Sequence, residues 1–321
     1  MQAMQVTQYN TDLVMRELDM PVPARGEVVV RVAACGLNFG DTLLVKGSYQ
    51  EKPSLPFTPG MELAGEVTAV GDGVTQLRVG QRIAAYSGTG GLAEYVVLSE
   101  GKCVGLPDAM PYSDAAAFLI TYGTSHIALE AKAGLQPNER LLVLGASGGV
   151  GLTAVELGKL MGAEVIACAR GAEKLEIAAD KGADHLIDSD ADDIRAAVKA
   201  LGGADVVYDP IGGVQFDAAM RACNVGARLL PLGFASGEVP QIPANYLLVK
   251  NMTVLGFYLG GFAKLNPEAM TRSFKKLIGW YLEGKLVPHI SHTLPLAEAN
   301  AGLDLLRTRQ ATGKVVIDLR S

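Results

Sequence analysis

The run Leu141-Leu-Val-Leu-Gly-Ala-Ser-Gly-Gly-Val-Gly151 has the residue types and spacing of a phosphate cradle. An apolar stretch of strand length ends in a glycine cluster, and an amphipathic helix begins at once. Ala146, Ser147, Gly148, Gly149, Val150 and Gly151 then form the turn, an order that suits a dinucleotide pyrophosphate. Gly148 lets the backbone approach the phosphates and Gly151 lets the helix sit close on the strand. The helix N-terminus supplies N–H groups and the positive end of a dipole. Val150, Ala154, Leu157 and Met161 carry the helical phase. Glycine-rich turns are common; the strand before and the helix after select cofactor binding here.

A second signal concerns which dinucleotide. The residue ending the second strand of such a fold faces the adenosine ribose, where a carboxylate selects NAD and repels a 2′-phosphate. Glu164-Val-Ile-Ala-Cys-Ala-Arg170 carries no acid at that end. Ala169 is neutral, Arg170 is cationic, and Lys174 follows one helical turn later. Two cations without a carboxylate favour the phosphate of NADPH, against the plainer reading of two solvated surface residues.

These groups need a frame. Residues 1 to about 115 read as short strands and turns, with strands at 27–34, 62–70, 81–86 and 93–98. From Ser113 the run SDAAAFLITYGTSHIALEA reads as one helix. Beyond Arg140, strands at 141–145, 164–169, 184–187, 205–209, 227–232 and 253–257 alternate with helices at 150–161, 172–181, 191–201 and 214–223. That alternation implies a parallel sheet covered on both faces. The tail has helices at 267–283 and 296–309 and a strand at 313–319, and is expected to complete the N-terminal unit. The fold class is therefore α/β, a Rossmann-type doubly wound sheet at 118–261 inserted into a mostly-β domain of residues 1–117 and 262–321.

Composition narrows the function classes. The 321 residues are 49% hydrophobic and 19% charged, as expected of a globular protein of two ordinary domains. The net charge of −6 comes with interspersed signs and no basic block, so no nucleic-acid partner is expected. No apolar run approaches the roughly 20 residues that span a bilayer, and the first residues lack a secretory pattern. Cys35, Cys103, Cys168 and Cys223 are scattered without a CxxC pair, which suits reduced thiols in a cytoplasm.

Taken in order, CGLNFGD (35–41), LPFTPGMELAGEVTAVG (55–71), VGQRIAA (79–85), GGLAEYV (90–96), the glycine turn, DVVYDPIGG (205–213), LGFASG (232–237) and GKVVIDL (313–319) resemble one family over essentially the whole chain. It is the zinc-free quinone oxidoreductase branch of the medium-chain dehydrogenase/reductase family, the zeta-crystallin-like proteins. The resemblance implies a GroES-like catalytic domain in addition to the Rossmann domain, an NADPH cofactor and a homodimer. The run TVLGFYLGG (253–261) is a candidate edge for that dimer. Zinc-dependent relatives place a cysteine where this chain has Asn38 and a histidine where it has Met61, and neither replacement suits zinc. His289-Ile-Ser-His292 lies between prolines and reads as extended, so its imidazoles diverge. No metal is expected.

Hydride transfer without a metal suits a small, already conjugated electrophile, a quinone ring or the β-carbon of an enone. By the same resemblance Asn38 and Tyr49 line the site, Asn38 offering an amide N–H and Tyr49 either a donor phenol or an aromatic wall. Asp41 is expected to fix local backbone or a partner side chain rather than to move protons. Leu43 stands where relatives carry a further tyrosine, which implies a more apolar pocket. Thr121 is expected at the nicotinamide carboxamide and Lys314 at the pyrophosphate. Gly233, Phe234, Ser236 and Phe257 follow the fifth and sixth strands, at carboxyl ends where ligands lie. A reductase of enals, enones or enoyl thioesters is the alternative activity, and a non-catalytic NADPH-binding protein the alternative class.

Overall fold

The computed structural model describes residues 1–320, which divide into two units: Met1–Ile120 with the residues from Val287 onward, and Thr121–Leu286. The first unit starts with a two-stranded ribbon, β1 (Gln2–Gln5) on β2 (Val14–Glu17). β3 (Glu27–Leu37) is rich in valine and apolar on both faces apart from the exposed Arg31, as a largely covered strand must be. Helix α1 (Phe39–Lys46) follows it, then β4 (Glu62–Val70), β5 (Arg82–Tyr86), β6 (Tyr95–Ser99), β7 (Cys103–Gly105) and helix α2 (Tyr112–Ala116). β3 pairs antiparallel with β4, with register shifts at Val29/Val30 and Val32/Ala34. Those shifts change the phase of the pleat. Val28, Val30 and Val32 enter one core with Leu63, Val67 and Ile83, whereas Cys35 and Leu37 enter another with Leu44, Met61 and Leu303.

Helix α3 (Leu119–His126) starts in the first unit and runs into the second at Thr121, continued by one π-helical turn at Ile127–Lys132. β8 (Arg140–Leu144), α4 (Gly149–Leu160), β9 (Glu164–Ala169), α5 (Ala172–Asp180), β10 (His185–Asp188), α6 (Ile194–Ala200), β11 (Ala204–Asp209), α7 (Gly213–Ala222), β12 (Cys223–Pro231), α8 (Ala244–Lys250) and β13 (Thr253–Val254) alternate in turn. All six strands are parallel, in the order β10-β9-β8-β11-β12-β13. The chain reverses direction across the sheet between β8 and β11, the switch point where such folds hold ligands. Leu142, Leu144, Ile166, Val207 and Leu229 bury one face against Val198, Phe216 and Met220. α4 lies on the opposite face, so close that a Cβ on Gly158 would meet Leu141 Cδ2 at 2.5 Å.

Helices α9 (Leu259–Leu265) and α10 (Pro267–Leu282) end the second unit. β14 (Ile290–Pro295), α11 (Ala299–Arg307) and β15 (Lys314–Asp318) then return to the first, where β15 pairs with β14 and with β3. The order in that sheet is β14-β15-β3-β4-β5-β7, and β6 also pairs with β3.

Three expectations change. α10 belongs to the second unit rather than the N-terminal one: His126 Nδ1 sits 2.8 Å from Ser273 Oγ and Lys276 Nζ sits 2.5 Å from Glu130 Oε1. Amphipathic spacing shows that a helix buries a face without saying against what. The helix expected from Ser113 is two helices, because the buried Glu62 carboxylate accepts the Ile120 N–H at 3.0 Å and caps a new start at α3. The sixth strand is two residues long rather than five.

Candidate functional site

The glycine turn joins β8 to α4. Gly145 has a left-handed φ of +61°, and Gly148 N donates to Gly145 O at 3.0 Å. A Cβ on Gly151 would stand 2.1 Å from Gly145 O, whereas one on Gly148 would meet only that oxygen, at 3.4 Å. Gly148 is the N-cap of α4 and has no side chain of its own to cap the helix. The first-turn N–H groups and the positive dipole end are thus presented by backbone alone, a fit for a pyrophosphate.

A buried chain of hydroxyls supports this turn and escaped the sequence analysis. Tyr208 Oη, at the centre of β11, lies 2.8 Å from Ser125 Oγ, which lies 2.8 Å from Thr153 Oγ1 and donates to Val150 O at 3.0 Å. Thr153 Oγ1 also donates to Thr121 O at 3.1 Å. Val150, on the first turn of α4, is therefore tied to α3 and to the sheet centre, and Thr121 is buried alongside. Hydroxyls inside TYGTS and DVVYDP gave the only signal, and hydroxyl positions alone do not say what they meet.

At the carboxyl ends of β11 and β12, the Asp209 carboxylate accepts Ile211 N at 2.8 Å and Gly212 N at 2.9 Å. Ala235 N and Ser236 N donate to Pro210 O and Ile211 O, so Gly233 to Ser236 run alongside that turn. Phe234 is exposed there, and Ser236 Oγ interacts with the Glu238 backbone. Phe257 is buried edge-on against Phe262, with ring centroids 5.6 Å apart. Arg170 follows β9, with Nε 3.4 Å from Asp190 Oδ2; Lys174 lies on α5. The carboxylate of Asp190 is one the strand-end reading did not include.

The other set of expected residues gathers in the first unit. Asn38 precedes α1 and is half-buried. Its Nδ2 donates to Gly36 O at 3.1 Å and Glu62 Oε1 at 3.0 Å, and its Oδ1 accepts from Lys314 Nζ at 2.8 Å. Lys314 Nζ also reaches Glu62 Oε1 at 2.5 Å, and both members of this pair are buried. The expectation that Lys314 contacts the pyrophosphate is corrected: its ammonium is committed to Glu62 and Asn38. An isolated β-strand lysine reads as a surface group, and here the buried carboxylate 252 residues away in sequence, with the Asn38 amide oxygen, holds it inside. Tyr49, Met61 and Gly40 adjoin, since a Cβ on Gly40 would lie 2.9 Å from Met61 Sδ and 3.3 Å from Tyr49 Cε2.

Asp41 fixes backbone: its Oδ1 accepts Gly60 N and Met61 N, and its Oδ2 accepts Asn38 N. Burial pushes its carboxyl up to about 6, although those N–H donors and Lys314 favour the charged form. A folded pKa above the unfolded value means the folded protein holds the proton more tightly. That contribution to stability is full below about pH 4 and is lost as pH rises through the folded pKa. The stability difference between wild type and Asp41→Asn is expected to narrow from pH 4 to pH 7 in urea melts. A difference that widened over that range would contradict the shift.

His289 Nε2 lies 3.0 Å from Thr312 Oγ1 and His292 Nδ1 lies 2.9 Å from Ser291 Oγ, with His292 on the extended β14. Among the described residues no group of three or more His, Cys, Asp or Glu side chains could hold a metal ion. No helix among them is long and apolar enough to cross a membrane.

A doubly wound sheet with an uncapped glycine turn at its switch point, in a chain that also carries a GroES-like unit, defines a dinucleotide-binding oxidoreductase. Residues 24–108 match the alcohol dehydrogenase GroES-like domain, and residues 149–278 match the zinc-binding dehydrogenase domain. The quinone oxidoreductase-like protein 2 homolog of Nematostella vectensis is 41% identical over 300 residues, covering 92% of this chain and 82% of that protein. The quinone oxidoreductase of Thermus thermophilus, whose structures include an NADPH complex, aligns with a TM-score of 0.88 at 33% identity, over 99% of this chain and 100% of the other. The Escherichia coli quinone oxidoreductase complexed with NADPH aligns at 0.92 and 27% identity, with the same coverage. The chain belongs to the quinone oxidoreductase branch of the medium-chain dehydrogenase/reductase family.

Proposed function

We propose that this protein is an NADPH-dependent, zinc-independent reductase of quinones. The observation that carries the reading is the α4 N-terminus, whose N-cap is the side-chain-free Gly148 and in which Gly151 leaves no room for a Cβ. The NADPH complexes of the related quinone oxidoreductases support it. Bound NADPH supplies the hydride. Ala146 to Gly151 hold the pyrophosphate by backbone N–H groups, and Arg170 with Lys174 binds the 2′-phosphate. Gly233, Phe234, Ser236 and Phe257 flank the cofactor at strand ends, and Thr121 orients the carboxamide. Asn38 and Tyr49 bound the acceptor, which spreads incoming charge onto its own oxygen and so needs position, a hydrogen bond and dryness. Asn38 and Met61 present an amide and a thioether, neither a zinc ligand, and activity should survive exhaustive chelation.

The half-exposed Arg170–Asp190 pair is weak enough for a phosphate to displace the carboxylate. Arg170→Ala/Lys174→Ala is expected to cut the NADPH-over-NADH preference on the order of tenfold or more. An unchanged ratio of dissociation constants would remove the assignment.

A second reading keeps the cofactor and takes an enal, enone or enoyl thioester, favoured by Leu43 in place of a tyrosine. Comparing kcat/KM for naphthoquinone, an alkenal and an enoyl-CoA under NADPH decides between them. Tight NADPH binding without oxidation by any of the three would mark a non-catalytic protein. The four free cysteines suit a cytoplasmic setting. The terminal position of β13, with exposed Leu248 and Val249 on the preceding α8, supports a homodimer whose mass light scattering would read.

A further inference from the structure

We propose that Glu62 and Lys314 are positioning residues that lock the Asn38 amide with both of its hydrogens turned into the protein, so that Asn38 shapes the acceptor site without donating to the acceptor. This rests on the reductase reading above. An asparagine amide carries two N–H donors on nitrogen and two lone pairs on oxygen. Both donors are spent, on Gly36 O and Glu62 Oε1, and one lone pair accepts from Lys314 Nζ.

The orientation is forced by charge. Turning the amide over would set its NH2 against an ammonium and its oxygen against a carboxylate. Both charges are buried, where water screens them poorly, so the penalty for the reversed amide is large. Glu62 can hold this role because its other oxygen, Oε2, is fixed by Ile120 N. With both N–H groups spent, Asn38 has no donor left for a ligand. The hydrogen bond to a developing enolate or quinol oxygen then falls to another group, and Tyr49, near Gly40 and Met61, carries the phenol for it.

The first test is kinetic. Glu62→Gln/Lys314→Met removes both charges together, which avoids stranding either one in the interior. With naphthoquinone it is expected to lower kcat about tenfold while the NADPH dissociation constant stays unchanged, and Asn38→Ala is expected to do the same. In the triple variant the pair's removal should cost nothing more, because a glutamine oxygen still accepts Ile120 N and the rest of the pair's effect runs through Asn38. Tyr49→Phe should cost about a hundredfold. Losses that multiply in the triple variant would overturn the proposal.

The second test needs no turnover. The side-chain 15N–1H2 signals of Asn38, assigned by their loss in Asn38→Ala, should exchange slowly in the free protein and collapse to fast exchange in Glu62→Gln/Lys314→Met. Adding NADP+ and naphthoquinone should leave both proton shifts in place. A marked downfield move of one Asn38 proton would show that it donates to the quinone and would end the proposal. Should naphthoquinone fail to bind or turn over, the reductase reading fails, while slow or fast exchange in the free protein still judges the locked amide.

Discussion

Gly151→Ala is expected to abolish measurable NADPH binding and to lower stability by about 3 kcal/mol, the upper range for overpacking a close-packed site. Its Cβ would stand 2.1 Å from Gly145 O, 2.8 Å from the Gly145 carbonyl carbon and 3.0 Å from Ala146 Cα. All three are backbone atoms, so no side-chain rotation relieves the overlap. Either α4 moves off β8 or the turn opens, and both displace the N–H groups meant for phosphate. Gly148→Ala is the informative contrast. Its φ of −79° is open to any residue, and its Cβ would have only an ordinary contact at 3.4 Å. That variant should melt like wild type yet bind NADPH at least about tenfold more weakly, because the methyl occupies the approach to the phosphates. Calorimetric titration and thermal melts read both effects. Wild-type NADPH affinity in Gly151→Ala would remove the cradle from the account.

Lys314→Met should destabilise the protein by about 3–5 kcal/mol, the cost of leaving a buried charge without its partner. Glu62 would keep Asn38 Nδ2 and Ile120 N as donors but lose the Lys314 cation bonded to it. Adding Glu62→Gln should restore most of the loss, since a neutral amide needs no counter-charge. Urea denaturation of the single and double variants makes the comparison. A single variant as stable as wild type would mean that Glu62 is neutral or that water reaches it.

The same residues show what the sequence discloses and what it withholds. Alternation of apolar strands with amphipathic helices disclosed the sheet of the second unit, with β9 at its expected bounds and the other early strands within a residue or so of theirs. The glycine turn was legible because its chemistry lies within one local run. Asp41 was legible for the same reason, since one of its partners is three residues away. Glu62, Lys314, Ser125, Thr153 and Tyr208 were not: their partners come from distant elements, and nothing local distinguishes a buried lysine from a solvated one. The unit to which α10 belongs was hidden likewise, because Ser273 and Lys276 meet His126 and Glu130 across about 146 residues of chain.

The Glu62–Lys314 pair also bears on redesign. Grafting a catalytic transition metal onto this scaffold would naturally begin by exchanging Asn38 for a thiol and Met61 for an imidazole. Lys314 would still project its cationic head onto the newly built coordination sphere, 2.8 Å from where the amide oxygen now sits. A divalent ion arriving there would meet that ammonium together with the Glu62 carboxylate that balances it. Any conversion of this protein toward an alcohol-oxidising metalloenzyme therefore has to accommodate a buried ion pair, one member of which is far from the ligands in sequence.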